Sequence, residues 1–411
     1  MQSFLIIPRA PVALQNKGER MSPPKIDVLM SAYNAGRFIE STIDSILAQT
    51  IRDFRLIIVD DGSTDDTPDI LERLAAKDTR IVVLRQANGG IVSALNAGLA
   101  LCVAPYLARH DADDLSDPNR FAMELAYLES NPDCVAVSAR ARHIDANGAL
   151  LGTVSTRKDP DKADARAIPA VEPYILQPLL MARLAAVKAA GGYRLLQVAE
   201  DSDLYWRLRT VGRLHNLQDC LGSYRIHDDS ISSSSIVRGR QAAMWSQLAA
   251  LSAQRRLENR PDIDFNETLL RGISQTASLQ DMMTLTAART SSDERRWLRL
   301  AVSAKLLELC YYRPFEPDGT DVTFIRQAVA AGQTTCGSAN YGAFQEALMS
   351  AAIRMAFAGR FKDAFRLAGW RKAPTLLARI AFRVALPPSL KDRIKALLGR
   401  PGARPAVEAA G

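Results

Sequence analysis

The stretch His110-Asp111-Ala112-Asp113-Asp114-Leu115 decides how the rest of this chain is read. Before it, Pro105-Tyr106-Leu107-Ala108-Arg109 predicts a short strand. After it, Asp117 and Pro118 predict the N-cap and first position of a helix. Asp111, Asp113 and Asp114 then crowd the carboxyl end of a sheet strand, where open α/β sheets bind their ligands. Carboxylates this close repel one another unless they share a cation. A hard divalent ion with oxygen ligands, Mg²⁺ or Mn²⁺, suits the set, and such ions commonly arrive with phosphates. In isolation the same residues would be a solvated acidic loop, so the surroundings decide.

Upstream, Ile26-Asp27-Val28-Leu29-Met30 predicts a first strand running into Ser31-Ala32-Tyr33-Asn34-Ala35-Gly36. Ile39, Ile43, Ile46 and Leu47 then mark one face of a helix. Phe54 to Val59 is a nearly unbroken apolar run, as a strand buried on both faces requires. It ends in Asp60-Asp61-Gly62-Ser63-Thr64-Asp65, and Thr67-Pro68 opens the next helix. Ile81 to Leu84 predicts a third strand, and Asn88-Gly89-Gly90 turns into a helix carrying Ile91, Ala94, Leu95 and Leu99. The pattern is βαβαβαβ with short connections, the mark of a mainly parallel sheet. Its binding edge would gather Asp60, Asp61, Asp111, Asp113 and Asp114. Such an edge suits a metal-borne diphosphate and the polar groups of a nucleoside, not an unaccompanied anion.

Downstream, Cys134 to Ile144 alternates in strand fashion, and Asn147-Gly148 is a strong hairpin signal that adds antiparallel strands. Ala182 to Ala190 predicts a helix stopped by Gly191-Gly192. Val198 to Leu208 predicts a second helix, with Glu200, Asp201 and Asp203 as acids in its first turn and Gly212 as its cap. Leu214–Leu217 and Leu221–Ile226 predict two short closing strands, the latter leading into His227-Asp228-Asp229 and a flexible run, Ser230 to Ser235. From residue 236 the composition shifts to Ala, Leu and Arg with helical periodicity. The expected organisation is a disordered tail at 1–24, an α/β domain at 25–235 and an α-helical domain at 236–411. Met21 reads as a natural beginning, with the preceding twenty residues a tail or a start-site artefact.

With 411 residues, 47% of them hydrophobic, the chain is long enough for two cored domains. No apolar run reaches the roughly eighteen residues of a membrane span. The five cysteines are odd in number and lack a CxxC, which predicts reduced thiols and a cytoplasmic setting, not zinc or disulfides. Net charge +7 is a mild excess, suited to anionic substrates or membranes and not enough to predict a nucleic-acid partner. The end of the chain is basic and amphipathic (Trp370, Arg371, Lys372, Leu377, Phe382, Arg383, and on to Lys391, Arg393 and Lys395). Such a face packs on its parent domain or lies peripherally on the inner face of a membrane.

Several of these segments together resemble one family. Val28-Leu29-Met30-Ser31-Ala32-Tyr33-Asn34, Ile58-Val59-Asp60-Asp61-Gly62-Ser63, Asn88-Gly89-Gly90 with Leu95-Asn96-Ala97-Gly98, the DxDD cluster, and Ala199-Glu200-Asp201-Ser202-Asp203 occur in order. The set resembles the inverting family 2 glycosyltransferases of the GT-A fold, over residues 25 to about 230. The resemblance implies a GT-A α/β fold, Rossmann-like and mainly parallel with added antiparallel strands, and transfer of a hexosyl group from a nucleotide-sugar. A UDP-sugar is the favoured donor, and the acceptor is a glycan or lipid-linked hydroxyl in surface-glycan synthesis.

Residue by residue, the resemblance places Tyr33 against the nucleotide base and Asp61 on its polar edge, with Asp60 orienting the turn. Asp113 would hold Mn²⁺ or Mg²⁺ directly, with Asp111 on the ribose or a metal-bound water, and Asp114 would cap the next turn. Asp201 is the expected catalytic base, with Glu200 second or placing the acceptor. His227 would donate to a phosphate or ligate the metal. Leu176-Gln177-Pro178 stands where relatives often carry His-Pro, a departure on the acceptor side. A nucleotidyltransferase would need a basic, Gly-rich loop after the first strand, where this chain has Ser-Ala-Tyr-Asn-Ala-Gly. A catalytically inactive nucleotide-sugar-binding scaffold is the alternative, and the presence of Asp201 argues against it.

Overall fold

The computed structural model describes residues 24–385 except 157, 197, 228–234, 314 and 333–340. The expected tail (residue 24 apart), Asp228-Asp229, most of the serine run, Cys336 and the basic stretch beyond 385 lie outside the described residues. The α/β part runs β1 (Ile26–Ala32), α1 (Ile39–Leu47), β2 (Phe54–Asp60), α2 (Thr67–Ala75), β3 (Ile81–Arg85), α3 (Ile91–Leu101) and β4 (Tyr106–Asp111). It continues through β5 (Leu115–Ser116), α4 (Arg120–Ser130), β6 (Cys134–Ile144), β7 (Leu150–Val154), β8 (Met181–Arg183), α5 (Leu184–Ala189), α6 (Glu200–Leu208) and β9 (Arg213–Arg225).

One sheet carries all of these strands in the order β3-β2-β1-β4-β8-β6-β9-β5, with β7 hairpinned onto β6. β1 pairs in parallel with both β2 and β4, which places Ala32 beside Asp60 and Ser31 beside Asp111. Three strands therefore deliver their carboxyl ends to one edge. β8 enters antiparallel between β4 and β6. Central strands this apolar are stable only with both faces covered. On one side Met30, Ile58 and Ala108 pack with Ile43, Ile46 and Phe121, while Leu29 and Ile57 face Leu95 and Leu99 of α3 on the other. Burying each such aliphatic side chain contributes about 1.5–3 kcal/mol. Helix α3 comes close at Gly98, where an added Cβ would lie 2.3 Å from Leu29 Cδ1 and 2.9 Å from Val59 Cγ2.

Three local expectations are corrected. The helix after the acidic cluster begins at Arg120 with Asn119 as its N-cap, so Asp117 does not cap it. The Asp117 carboxylate instead pairs with Arg142. Arg213–Arg225 form one long strand, parallel to β6 and broken in register by bulges, not two short ones. Met181–Arg183 is a strand, and the helix expected from Ala182 starts at Leu184.

The helical part comprises α7 (Ile236–Leu257), α8 (Glu267–Ser274), α9 (Leu279–Thr286), α10 (Ser292–Tyr312), α11 (Gly319–Ala331), α12 (Tyr341–Phe357), α13 (Phe361–Ala368) and α14 (Ala373–Ala385). The start of α10 is set locally: Ser291 and Glu294 form a reciprocal capping box there. The two parts share a core, for Leu196, Ala199 and Trp206 pack with Trp245, Leu248 and Leu306. Arg194 adds a polar tie, pairing with Asp203 of α6 and, at 2.5 Å, with Asp262 of the helical part. No helix among the described residues is long and apolar enough to cross a membrane.

Candidate active site

At the end of β4, Asp111, Asp113 and Asp114 bring carboxylate oxygens within 4.8 Å of one another. Each is held by a different basic residue. Arg109, 1% exposed, donates through Nη2 to Asp111 Oδ1 at 2.6 Å. His227 Nε2 lies 3.0 Å from Asp113 Oδ2, and the His227 ring sits against Phe38 at 4.9 Å. Arg225 donates from its backbone N–H to Asp114 Oδ1 (2.8 Å) and from Nε to the Asp113 carbonyl (2.7 Å). Asp114 therefore anchors β9 and does not cap a turn. Its Oδ2 is buried without a hydrogen-bond partner. Burial, together with the charge of Asp113, raises the Asp111 and Asp114 carboxyls above their usual range, Asp114 most strongly. Crowded oxygen donors, one of them orphaned, fit a hard divalent cation.

Beneath the cluster, the His110 ring faces the Asp111 carbonyl through Nδ1 (2.7 Å) and Ser116 Oγ through Nε2 (2.9 Å). A carbonyl only accepts, so Nδ1 carries a proton. Burial, then the charge of Arg120, pushes His110 down to about 3.

The β2 end is arranged differently. Asp60 Oδ1 accepts the Ser63 N–H at 3.0 Å, which orients the turn. Asp61 Oδ1 accepts from Gln86 Nε2 (2.7 Å) and Gly89 N (2.9 Å), and Oδ2 accepts from Gly90 N (2.8 Å). Asp61 thus already gathers the Asn88-Gly89-Gly90 loop, with acceptor capacity left on Oδ2. Gly62, at φ +77° and with Asn88 N 2.8 Å from where a Cβ would stand, lets the two loops meet. Tyr33, just past β1, is 53% exposed on the same edge.

Helix α6 brings the second pair of acids. Glu200 is buried, with Oε2 lacking a hydrogen-bond partner. Burial and the neighbouring Asp201 charge push Glu200 up to about 8, with Arg109 opposing. Burial pushes Asp201 up to about 6, with the charges of Glu172 and Asp111 adding and the Ser202 N–H opposing. That N–H donates to Asp201 Oδ1 at 2.6 Å. Ser202 Oγ donates to Glu172 Oε2 (2.7 Å), and Lys305 of α10 reaches Glu172 Oε1 at 2.8 Å. Burial would raise Glu172, but the Lys305 ammonium overrides it and holds the carboxyl below its usual range. The helical part therefore supplies a cation one residue removed from the α6 acids. Gln177 accepts a 2.6 Å bond from the Tyr205 hydroxyl, which fixes the place where His-Pro was looked for. Asn96 clasps Tyr193 through both its N–H and its carbonyl, at 3.0 and 2.8 Å.

The structure thus joins Asp111, Asp113 and His227 directly, and sets Glu200 and Asp201 within electrostatic reach of Asp111. Tyr33 and Asp61 occupy the same sheet edge. Sequence reasoning missed Arg109, Arg225, Glu172 and Lys305. Arg109 had a signal, a charge directly after the apolar Tyr106-Leu107-Ala108 of its strand. Lys305 had one too, standing in Ala301-Val302-Ser303-Ala304-Lys305-Leu306-Leu307. Glu172 had none.

A mainly parallel sheet with antiparallel additions, acids at its carboxyl edge and a helix N-terminus bearing two more, defines a glycosyltransferase of the GT-A fold. Comparison with known proteins narrows the class. Residues 27–188 match the family described as Glycosyl transferase family 2. EpsE of Bacillus subtilis (strain 168), named as a glycosyltransferase, is 32% identical over 223 residues, covering 51% of this chain and 75% of EpsE. The O-antigen biosynthesis glycosyltransferase WbnJ of Escherichia coli is 30% identical over 217 residues, covering 51% of this chain and 83% of WbnJ. Among solved structures, the mannosyltransferase PcManGT from Pyrobaculum calidifontis, in complex with GDP-Man and Mn²⁺, aligns with a TM-score of 0.46 at 18% identity, over 84% of this chain and 86% of that one. The chain belongs to glycosyltransferase family 2.

Proposed function

We propose that this enzyme transfers a sugar from a nucleotide-sugar, a UDP-sugar in the favoured reading, to an acceptor hydroxyl with inversion at the anomeric carbon. The acceptor belongs to surface-glycan synthesis, in line with the name of its relative WbnJ, or to lipid-linked oligosaccharide synthesis, and the setting is the cytoplasm, with peripheral contact at the inner face of the membrane as its membrane-side form. The observation that carries the reading is geometric: the carboxylates of Asp111, Asp113 and Asp114 converge within 4.8 Å at the carboxyl edge of the sheet, with His227 Nε2 3.0 Å from Asp113, in a chain of glycosyltransferase family 2. Burial raises both acids at the start of α6, Asp201 and Glu200, which suits groups that exchange a proton near neutral pH.

In this reading Asp201 acts as the ionised carboxylate and Glu200 as its neutral neighbour. Asp201 takes the proton of the acceptor hydroxyl as that oxygen attacks from the face opposite the leaving diphosphate. Glu200, neutral, donates a hydrogen bond that places the acceptor. Tyr33 lies against the base, and the free acceptor position on Asp61 Oδ2 receives the base's polar N–H. His227 donates to a phosphate oxygen. Asp113 and Asp111 would hold Mn²⁺ or Mg²⁺, which when bound neutralises charge on the departing diphosphate.

Calorimetric titration of UDP, GDP and dTDP, with and without Mn²⁺, tests the donor half on wild type and on Asp113→Ala. Metal-dependent binding of one nucleotide, lost in the variant, is the expected result. Failure of all three to bind under every metal condition overturns the reading.

A further inference from the structure

The end of the described chain buries very little of its apolar surface. In α14, 13 residues long, Leu376 is the one buried side chain, while Leu377, Phe382 and Val384 stand 53%, 55% and 69% exposed. A helix of that length is marginal in water by itself and needs a face to rest on. The helix α13 turns Ala364, Leu367 and Ala368 inward and presents Phe361 and Phe365, with Lys362 and Arg366 beside them, to the outside. Trp370, between the two helices, is 80% exposed, with the Arg371 guanidinium over its ring, 5.3 Å from the centroid. Helix α14 stands off α12, leaving a cleft of about 670 Å³ lined by Ile353, Ala378, Phe382 and Arg383 among others.

The uncompensated charge on this surface has one sign. Its acids, Asp363 and, in the cleft wall, Glu346, are paired with Arg360 at 2.6 Å and Arg379 at 2.8 Å. Lys362, Arg366, Arg371, Lys372 and Arg383 have no carboxylate partner among the described residues. Exposed aromatic rings interleaved with uncompensated cations are what the headgroup region of an anionic bilayer accommodates, rings at the acyl boundary and cations among the phosphates.

We propose that the face formed by residues 357–385 docks on an anionic lipid leaflet. A second copy of the chain is disfavoured as the occupant, since a two-fold contact would set this cationic face against itself. The chain's own residues 386–411 carry Lys391, Arg393, Lys395, Arg400 and Arg404 against Asp392 and Glu408, and are repelled in the same way. The inference stands apart from the transfer reaction and is tested without it.

The test is sedimentation of the full chain with phosphatidylcholine vesicles, with and without phosphatidylglycerol, while tryptophan emission is followed. Expected are sedimentation with the anionic vesicles only, weakening as salt rises, and a blue shift that Trp370→Phe removes. Replacing Lys362, Arg366, Arg371 and Lys372 together by Gln should weaken binding at least about tenfold. These side chains are at the surface, so far-ultraviolet circular dichroism of the variant should match wild type. Absence of sedimentation with anionic vesicles overturns the proposal, as does unchanged binding by the four-charge variant. A lipid-independent dimer in light scattering with Trp370 already blue-shifted also overturns it, and assigns the face to a second copy.

Discussion

Asp201 and Glu200 are adjacent in sequence and burial raises both carboxyls, so single substitutions are what separate their proposed roles. Asp201→Asn should lower kcat about 10²–10⁴-fold, the usual contribution of a general base, and leave nucleotide affinity in calorimetry unchanged. Because the base must be ionised, kcat/KM should fall as pH drops through about 6, the value to which burial pushes Asp201. The Glu172 charge contributes to that rise, so Glu172→Gln, which keeps an acceptor for Ser202 Oγ, should move the acidic limb to lower pH. A pH profile of both proteins decides it, and an unmoved limb would mean that Asp201 is not the titrating base. At this scale the sequence revealed acids better than their partners. Asp111, Asp113 and Asp201 stand out because carboxylates at strand and helix ends are few and their spacing is local. Arg225 and Glu172 act across 111 and 30 residues of chain, respectively, and such pairings have no local pattern.

Among the elements, α3 shows how tightly the site's scaffold is set. Gly98 lets the helix approach β1 and β2, and Gly98→Val would drive a branched side chain into Leu29 and Val59. Overpacking of this kind costs about 1–3 kcal/mol. A lower melting temperature in calorimetry, with nucleotide affinity unchanged below it, is the expected outcome. The parallel strands β1, β2 and β4 were legible because burial on both faces leaves continuous apolar runs. β6 and the hairpin at Asn147-Gly148 were legible from alternation and turn chemistry, with Gly148 at φ +87° as a turn glycine. β9 was not legible as one strand, since its bulges put Asp219 and Cys220 out of phase with the alternation. β8 was hidden in an Ala-rich segment whose helix propensity is real but yields to pairing with β4 and β6 over three residues.

For the molecule as a whole, the compositional break at residue 236 was plain, while the core shared across it was not. Trp206 and Leu196 on one side and Trp245 and Leu306 on the other belong to a single apolar cluster. Long-range packing of this kind has no periodicity to read. It predicts one cooperative calorimetric transition for the α/β and helical parts, and two resolved transitions would refute it. The Lys305–Glu172 contact adds to the coupling, with side chains 13% and 17% exposed. Lys305→Met would leave Glu172 buried without its counter-charge and should destabilise the protein by about 3–5 kcal/mol, measured by denaturant titration. That contact also bears on inheritance. Family membership is written in residues 27–188, so the helical part looks like an exchangeable accessory. Yet Glu172 lies inside that region and its cation lies outside it. A recombinant that paired this α/β half with another relative's helices would lose the charge that keeps Glu172 ionised beside Asp201. The two residues must therefore travel together, as one unit of evolutionary exchange and of chimera design.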